Sequence, residues 1–149
     1  MKDSIALATV AGLIGAAIMD FLNYLILFAG IPSIPSWYVA ADVFLSLDQA
    51  NSLLGTIIGL IGTLALGIAT ALLIVVLIKL TGNDYAILKG ILTSNAVGFG
   101  AMGLFIPLLN ITPQLQSQPH TNIIAMVLLT LTGGIIAYIL SRYGQFLRN

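Results

Sequence analysis

The chain has 149 residues, of which 59% are hydrophobic and 7% are charged, and its mean hydropathy is +1.10. Soluble domains carry roughly 25% charged residues, so five basic and five acidic side chains do not suffice to cover a water-exposed surface. The composition therefore predicts an integral membrane protein and excludes a disordered chain. A net charge of zero excludes the basic surface that nucleic-acid binding requires. The absence of cysteine excludes disulfides and thiolate metal sites.

Four apolar stretches are long enough to cross a bilayer, whose core of about 30 Å needs about 20 apolar residues per helix. They cover residues 5–30, 53–80, 88–110 and 123–143. Continuous apolar runs of this length differ from barrel strands, which alternate between apolar and polar residues. The sequence predicts an all-α integral membrane protein, with four transmembrane helices in a compact bundle and residues 1–149 in a single membrane domain. The first stretch exceeds the usual core of a signal peptide, so we expect it to remain as an anchor.

The basic residues predict how the helices are oriented. All five lie on one side of a four-span topology, at Lys2, Lys79, Lys89, Arg142 and Arg148. The loops on the other side, 31–52 and 111–122, contain no Lys or Arg. By the positive-inside rule the basic side is cytoplasmic. We therefore expect a multi-pass protein of the cell membrane, the inner membrane in a bacterium, with both termini in the cytoplasm.

The first outer loop, residues 31–52, carries a predicted interfacial helix. Pro32 and Pro35 end the preceding helix, and Ser36 is suited to cap a new one over residues 36–47. Apolar residues recur at intervals of three and four in this segment, which is typical of an amphipathic helix. Anchors at the membrane interface are expected at Trp37, Tyr38 and Tyr143. The alternative for the segment is a lid or re-entrant structure over a pathway.

Small residues at four-residue spacing predict where the helices pack, because they let two backbones approach closely. The predicted packing positions are Gly12, Ala16, Gly55, Gly59, Gly133 and Ala137. Such stripes occur in many unrelated bundles, so they indicate close packing and no particular activity.

Asp20 is the only acidic residue inside a predicted span. It shares a helix face with Gly12 and Ala16, so we expect it to face the bundle. An Asp near the centre of a membrane helix costs about 2.5–3.5 kcal/mol, which favours a polar partner. By depth, its candidate partners are Asn23, Thr63, and Thr130 or Thr132. With Asn95, from a second polar cluster on the third span, these residues make up the predicted intramembrane polar site. Two interpretations stay open: a proton relay or cation site, and a side chain that hydrogen-bonds two helices together.

The first quarter of the chain carries a further pattern, Asp-x-x-Asn-Tyr followed by Gly-Ile-Pro and an aromatic pair before Ala-Ala. These residues are Asp20, Asn23, Tyr24, Gly30, Ile31, Pro32, Trp37, Tyr38, Ala40 and Ala41. In this pattern the chain resembles uncharacterised small bacterial membrane proteins with four helices. The resemblance covers about the first 45 residues. It implies the four-helix membrane fold and no particular activity.

The inventory of reactive side chains argues against an enzyme. Hydrolysis and group transfer need a nucleophile with a base, paired carboxylates or a metal, whereas the chain has a single histidine, His120, and no cysteine or glutamate. We expect no catalytic residue, no metal and no cofactor.

Two functions remain, and both place the chain in the lipid bilayer as a homo-oligomer or beside a membrane partner. The first is an oligomeric conduit for protons, ions or small solutes that uses Asp20. The alternative is a non-catalytic accessory or structural subunit that packs against partner helices. A polar line inside the bundle favours the conduit, and a glycine face exposed on the monomer favours the subunit.

Overall fold

In a computed structural model, which describes residues 3–144, the chain is built from helices and connecting loops. The helices are α1 (Ser4–Phe28), α2 (Ser36–Asp42), α3 (Leu47–Ala50), α4 (Leu53–Thr81), α5 (Ala86–Gly100), α6 (Ile106–Leu108) and α7 (Pro119–Tyr143). A π-helical turn, Ala101–Phe105, joins α5 to α6, and a 3₁₀ helix, Pro113–Ser117, precedes α7. Four spans are long and apolar enough to cross a membrane: α1, α4, Ala86–Leu108 and α7. This confirms the predicted helical fold with four candidate spans.

The ends of the long helices follow from local sequence signals. Asp3 accepts hydrogen bonds from the backbone N–H groups of Ile5 and Ala6 and so caps the start of α1. Helix α4 ends at Thr81 and is followed by Gly82, whose φ of +84° is a conformation that glycine adopts without steric cost. Helix α7 begins at Pro119, because proline suits the first turn, where its missing N–H has no partner to lose.

Two observed boundaries differ most from the predicted ones. The predicted fourth span starts at residue 123, whereas α7 starts at Pro119, since its first turn is polar and was read as loop. The predicted helix over 36–47 is shorter, because α2 ends at Asp42 and the chain turns over residues 43–46. The backbone N–H groups of Phe44 and Leu45 both bond to the Ala41 carbonyl in this turn.

The π-helical turn precedes Pro107. Proline has no N–H for the carbonyl four residues earlier, and its ring crowds that carbonyl. A wider π turn is one way in which a helix absorbs such an interruption. The third candidate span, Ala86–Leu108, is therefore helical throughout but irregular, with the π-helical turn between α5 and α6.

The long helices pack in the order α4, α1, α7, α5, with more limited contact between α4 and α5. Their shared apolar core consists of Leu7, Ala8, Ala11, Ala71, Ile74, Val75, Ile78, Ala86, Ile136, Ala137 and Leu140. We call the bundle end formed by residues 29–52 and 109–118 the loop end. The opposite end, with Lys79, Lys89 and Arg142, is the basic end, where Lys79 Nζ lies 3.1 Å from Ser4 Oγ.

Three of the five cations that predict orientation thus lie at one end of the bundle. Lys2 and Arg148 lie outside the described residues.

Candidate functional site

Asp20 lies in a closed polar cluster near the loop end. It is 6% exposed, and each oxygen of its carboxyl group accepts a hydroxyl. Ser36 Oγ lies 2.7 Å from Oδ1, and Thr63 Oγ1 lies 2.5 Å from Oδ2. The Asn23 side-chain amide donates to Ser36 Oγ at 3.0 Å. We call Asp20, Asn23, Ser36 and Thr63 the Asp20 cluster, and it ties α1, α2 and α4 together.

Of the four partners or neighbours predicted for Asp20, Thr63 bonds directly and Asn23 joins through Ser36. The other two lie elsewhere. Thr130 Oγ1 accepts from the Asn95 amide at 2.9 Å, across α5 and α7. Thr132 Oγ1 donates to the Leu128 carbonyl of its own helix. The predicted polar site is therefore divided: Asp20, Asn23 and Thr63 lie together, Asn95 and Thr130 lie between α5 and α7, and Thr132 bonds within α7.

Ser36 was expected to cap a helix, and the structure gives it a different partner. It is the first helical residue of α2, with Pro35 at the cap position, and its hydroxyl turns to Asp20. Asp20 lies eight residues before the end of α1 at Phe28, about 12 Å along a helix axis. Helix α2 therefore begins well inside the loop end of α1 rather than beyond it.

Helix α2 packs along α4 at a glycine. A Cβ atom on Gly59 would collide with the Trp37 carbonyl oxygen, so only glycine admits α2 at this position. Gly55 plays the same role one turn earlier, because a Cβ there would lie 2.5 Å from the carbonyl oxygen of Ala50. These two predicted packing positions receive the chain of the first loop. Trp37 and Tyr38 are half-buried.

The other predicted packing positions lie where long helices cross. A Cβ on Gly12 would lie 2.6 Å from the carbonyl oxygen of Gly67, and Ala16 fills the next position on the same contact. A Cβ on Gly90 of α5 would lie 2.5 Å from the carbonyl oxygen of Gly133, with Ala137 directly alongside. Close approach of this kind brings Cα–H groups of one helix onto carbonyls of the other.

One polar contact at the loop end has no counterpart among the predicted site residues. Asp42 Oδ2 accepts from the backbone N–H of Thr112 at 2.6 Å and from its hydroxyl at 2.8 Å. Thr112 is fully buried and has a φ of +41°, which is a strained conformation for a β-branched residue. The two bonds to Asp42 hold it there and join α2 to the segment before α7.

Tyr143 is exposed at the basic end of α7, at 59%. Its position at a membrane interface, like that of Trp37 and Tyr38, stays a prediction. Within residues 3–144, no three His, Cys, Asp or Glu side chains are grouped as a metal site would require. Two surface cavities occupy opposite ends, about 310 Å³ beside Ser33 and Gln118 and about 700 Å³ beside Tyr138 and Arg142. Asp20 lines neither of them.

No protein-family model matches the chain, and no curated protein or solved structure matches it either. The resemblance of its first 45 or so residues to small bacterial membrane proteins therefore stays a prediction.

Proposed function

We propose that this chain is a non-catalytic membrane protein that acts as a structural or accessory subunit, and that Asp20 serves as a tie between helices. The observation that carries the proposal is the closure of the Asp20 cluster. Both carboxyl oxygens accept hydroxyl groups, from Ser36 on α2 and Thr63 on α4. A carboxyl group engaged on both sides by neighbouring elements suits a cross-link better than a site that exchanges ions.

A second observation supports assembly with other helices. Cβ atoms added to Gly100 and Gly103 would meet no atom within 4 Å, so these glycines lie open on the surface. They lie near the end of the least buried span, Ala86–Leu108. Open glycines on a membrane helix provide a surface that another helix can approach closely. This feature favours the subunit over the conduit.

The conduit hypothesis remains the rival explanation for Asp20, and flux measurements separate the two. In proteoliposomes with an imposed pH gradient, the Asp20→Asn variant is expected to match the wild type at every pH. An amide keeps an acceptor for Ser36 and gains a donor for Thr63, whose hydroxyl then bonds the Leu60 carbonyl 2.9 Å away. An Asp20→Leu variant, which has neither group, serves as the control and is expected to melt at lower temperature.

The opposite result would overturn the proposal. If the wild type supports a proton or cation flux that Asp20→Asn abolishes, while elution volume and melting temperature stay unchanged, the carboxyl group is a transport site. If the Leu variant melts like the wild type, the Asp20 cluster is not a structural tie.

We further propose a multi-pass protein of the cell membrane with both termini in the cytoplasm, and with α2 re-entering the outer leaflet. Support comes from the basic end, which holds Lys79, Lys89 and Arg142, while segments 29–52 and 109–118 contain no Lys or Arg. The depth of α2 relative to α1 favours re-entry over a position on the membrane surface.

Cysteine labelling tests this topology without background, because the chain has no cysteine of its own. In intact cells, an impermeant maleimide is expected to label Ser117→Cys and to miss Asp84→Cys until the membrane is permeabilised. Both positions are exposed, so accessibility within the protein is matched. Labelling of Asp84→Cys alone would invert the topology.

A further inference from the structure

A surface groove of about 700 Å³ lies at the basic end, between the start of α5 and the end of α7. Its size falls within the range of about 300–1,000 Å³ that is usual for small-ligand sites. It shares no residue with the Asp20 cluster. A ligand in this groove is therefore independent of the Asp20 cluster, although it rests on the proposed membrane topology.

The deeper part of the groove is apolar. Ile87 and Ile91 of α5 form one wall, and the ring of Tyr138 of α7 faces it across the groove. Ile87 is 47% exposed and Tyr138 is 55% exposed, so the wall is available to a ligand. These residues belong to two candidate spans that are apolar enough to cross a bilayer. In a bilayer, an exposed apolar surface of this kind contacts the acyl chains of lipids.

The mouth of the groove is polar and carries one sign of charge. Arg142 and Ser141 in the last turn of α7 line it on one side, and Asn83 lines it on the other. Among the described residues, 3–144, the lining contains no acidic side chain. The side-chain oxygen of Asn83 is buried without a hydrogen-bond partner.

The apolar wall and the cationic mouth lie in the order that a phospholipid requires. Asn83 and Arg142 are at the end of the helices, whereas Ile91 and Tyr138 are one to two turns further in. Arginine binds phosphate through paired N–H groups. Basic pockets between membrane helices on the cytoplasmic side are a known form of anionic-lipid recognition.

We propose that this groove binds one anionic phospholipid, whose acyl chain lies along Ile87, Ile91 and Tyr138 and whose phosphate lies at Arg142. Charge complementarity selects an anionic lipid over a zwitterionic one. The apolar wall selects a lipid over a soluble anion.

Native mass spectrometry and thermal melting of the purified chain in detergent test the proposal. Phosphatidylglycerol is expected to be retained and to raise the melting temperature, whereas phosphatidylcholine with the same acyl chains has little effect. Arg142→Gln is expected to weaken phosphatidylglycerol retention about tenfold, which corresponds to the loss of one charged hydrogen bond. Ile91→Trp places a larger side chain in the apolar part of the groove and leaves Arg142 in place. This variant is also expected to retain phosphatidylglycerol more weakly.

Lys79→Gln provides the matched control, since it removes one positive charge at the same end but outside the groove. It is expected to retain the lipid like the wild type. Equal loss in Lys79→Gln and Arg142→Gln would reduce the effect to general surface charge and overturn the site. Equal stabilisation by phosphatidylcholine, or by inorganic phosphate alone, would overturn it too. Normal retention by Ile91→Trp would show that no acyl chain lies in the groove.

Discussion

The α1–α4 and α5–α7 interfaces are built on the same backbone contact. In the first, Gly12 lies against the backbone of Gly67, and in the second, Gly90 lies against the backbone of Gly133. A Cβ on any of the four glycines would lie too close to a backbone or Cβ atom of the facing helix. The approach of the helices is therefore limited by backbone atoms, which cannot move aside as a flexible side chain would.

The two interfaces differ in the polar bond that accompanies the glycines. At α1–α4 a buried carboxyl group, Asp20, binds Thr63, which is 3% exposed. At α5–α7 a half-buried amide, Asn95, binds Thr130 and also bonds the Ile91 carbonyl of its own helix. The carboxyl group depends on partners from other elements, whereas the amide keeps one partner if the other is lost.

They differ again in what covers them. Helix α2 packs on α4 and contributes Ser36 to the first interface. Only 17% of the apolar part of the span Ala86–Leu108 is buried, compared with 39% for α1 and for α4. Glycine contacts therefore set the distance between helices in the same way at both interfaces. The contribution of a polar bond to stability, by contrast, depends on how completely the rest of the fold buries that bond.

The largest effects are expected from substitution of the glycines at the two interfaces. Gly12→Leu and Gly133→Leu should each destabilise the fold by about 3 kcal/mol, since a large side chain cannot fit against backbone. Leucine is the better helix former by about 0.8 kcal/mol, so any loss must come from the contact. Melting in detergent measures it.

Gly103→Leu is the matched control, because a Cβ at Gly103 meets nothing within 4 Å. The same chemical change is expected not to lower the melting temperature of the isolated chain. If Gly12→Leu and Gly133→Leu both have the same melting temperature as Gly103→Leu, the glycine contacts do not hold the bundle together.

The spans were predictable because length and apolar content alone decide them. The start of α7 was harder to predict, since His120 and Asn122 lie within the helix although their polarity favours a loop. The depth of α2 was not predictable. Its period-three-and-four pattern fits an interfacial helix equally well, and only the bond from Ser36 to Asp20 places it inside the end of α1.

The candidate site was predictable where depth along a helix decides it. Thr63 lies at the level of Asp20 on the neighbouring helix, and its predicted depth in the membrane was sufficient to name it as a partner. Thr130 and Thr132 meet the same depth criterion but lie on α7, whose neighbours are α1 and α5, and their bonds go elsewhere. Sequence spacing gives depth and face within one helix but does not give the order in which helices pack.

An intermediate effect is expected from removing one hydroxyl at each interface. Thr63→Val and Thr130→Val change the same atom to a methyl group at nearly constant volume. Thr63→Val leaves one buried oxygen of Asp20 without its partner and should cost about 2 kcal/mol. Thr130→Val should cost about 0.6 kcal/mol, the average for an interhelical bond in a membrane, because Asn95 keeps the Ile91 carbonyl.

Parallel denaturation of the two variants in mixed micelles measures the difference. Equal costs would mean that enclosure by α2 adds nothing to the bond at Asp20. A larger cost for Thr130→Val would reverse the proposed ranking of the two interfaces.

The smallest effect on the isolated chain, and the most informative one for function, concerns the open face of the third candidate span, Ala86–Leu108. Ala96, Gly100 and Gly103 lie within two turns of one another, and Ala96 is exposed. Substituting Ala96 or Gly103 by Cys should not alter the melting temperature, since neither position is covered by the rest of the chain. In native membranes, however, these thiols should cross-link to a neighbouring helix if the face serves assembly.

Leu66→Cys on α4 is the control, because Leu66 is 48% exposed and lies on a different candidate span. A short bis-maleimide is expected to give a cross-linked product from Ala96→Cys and Gly103→Cys but not from Leu66→Cys. A product of twice the chain mass identifies a second copy, and any other mass identifies a partner subunit. Absence of product from all three variants would mean that the third span meets lipid along its open face. In that case the open glycines would no longer distinguish a subunit from a conduit, and the proposal would depend on the Asp20 cluster alone.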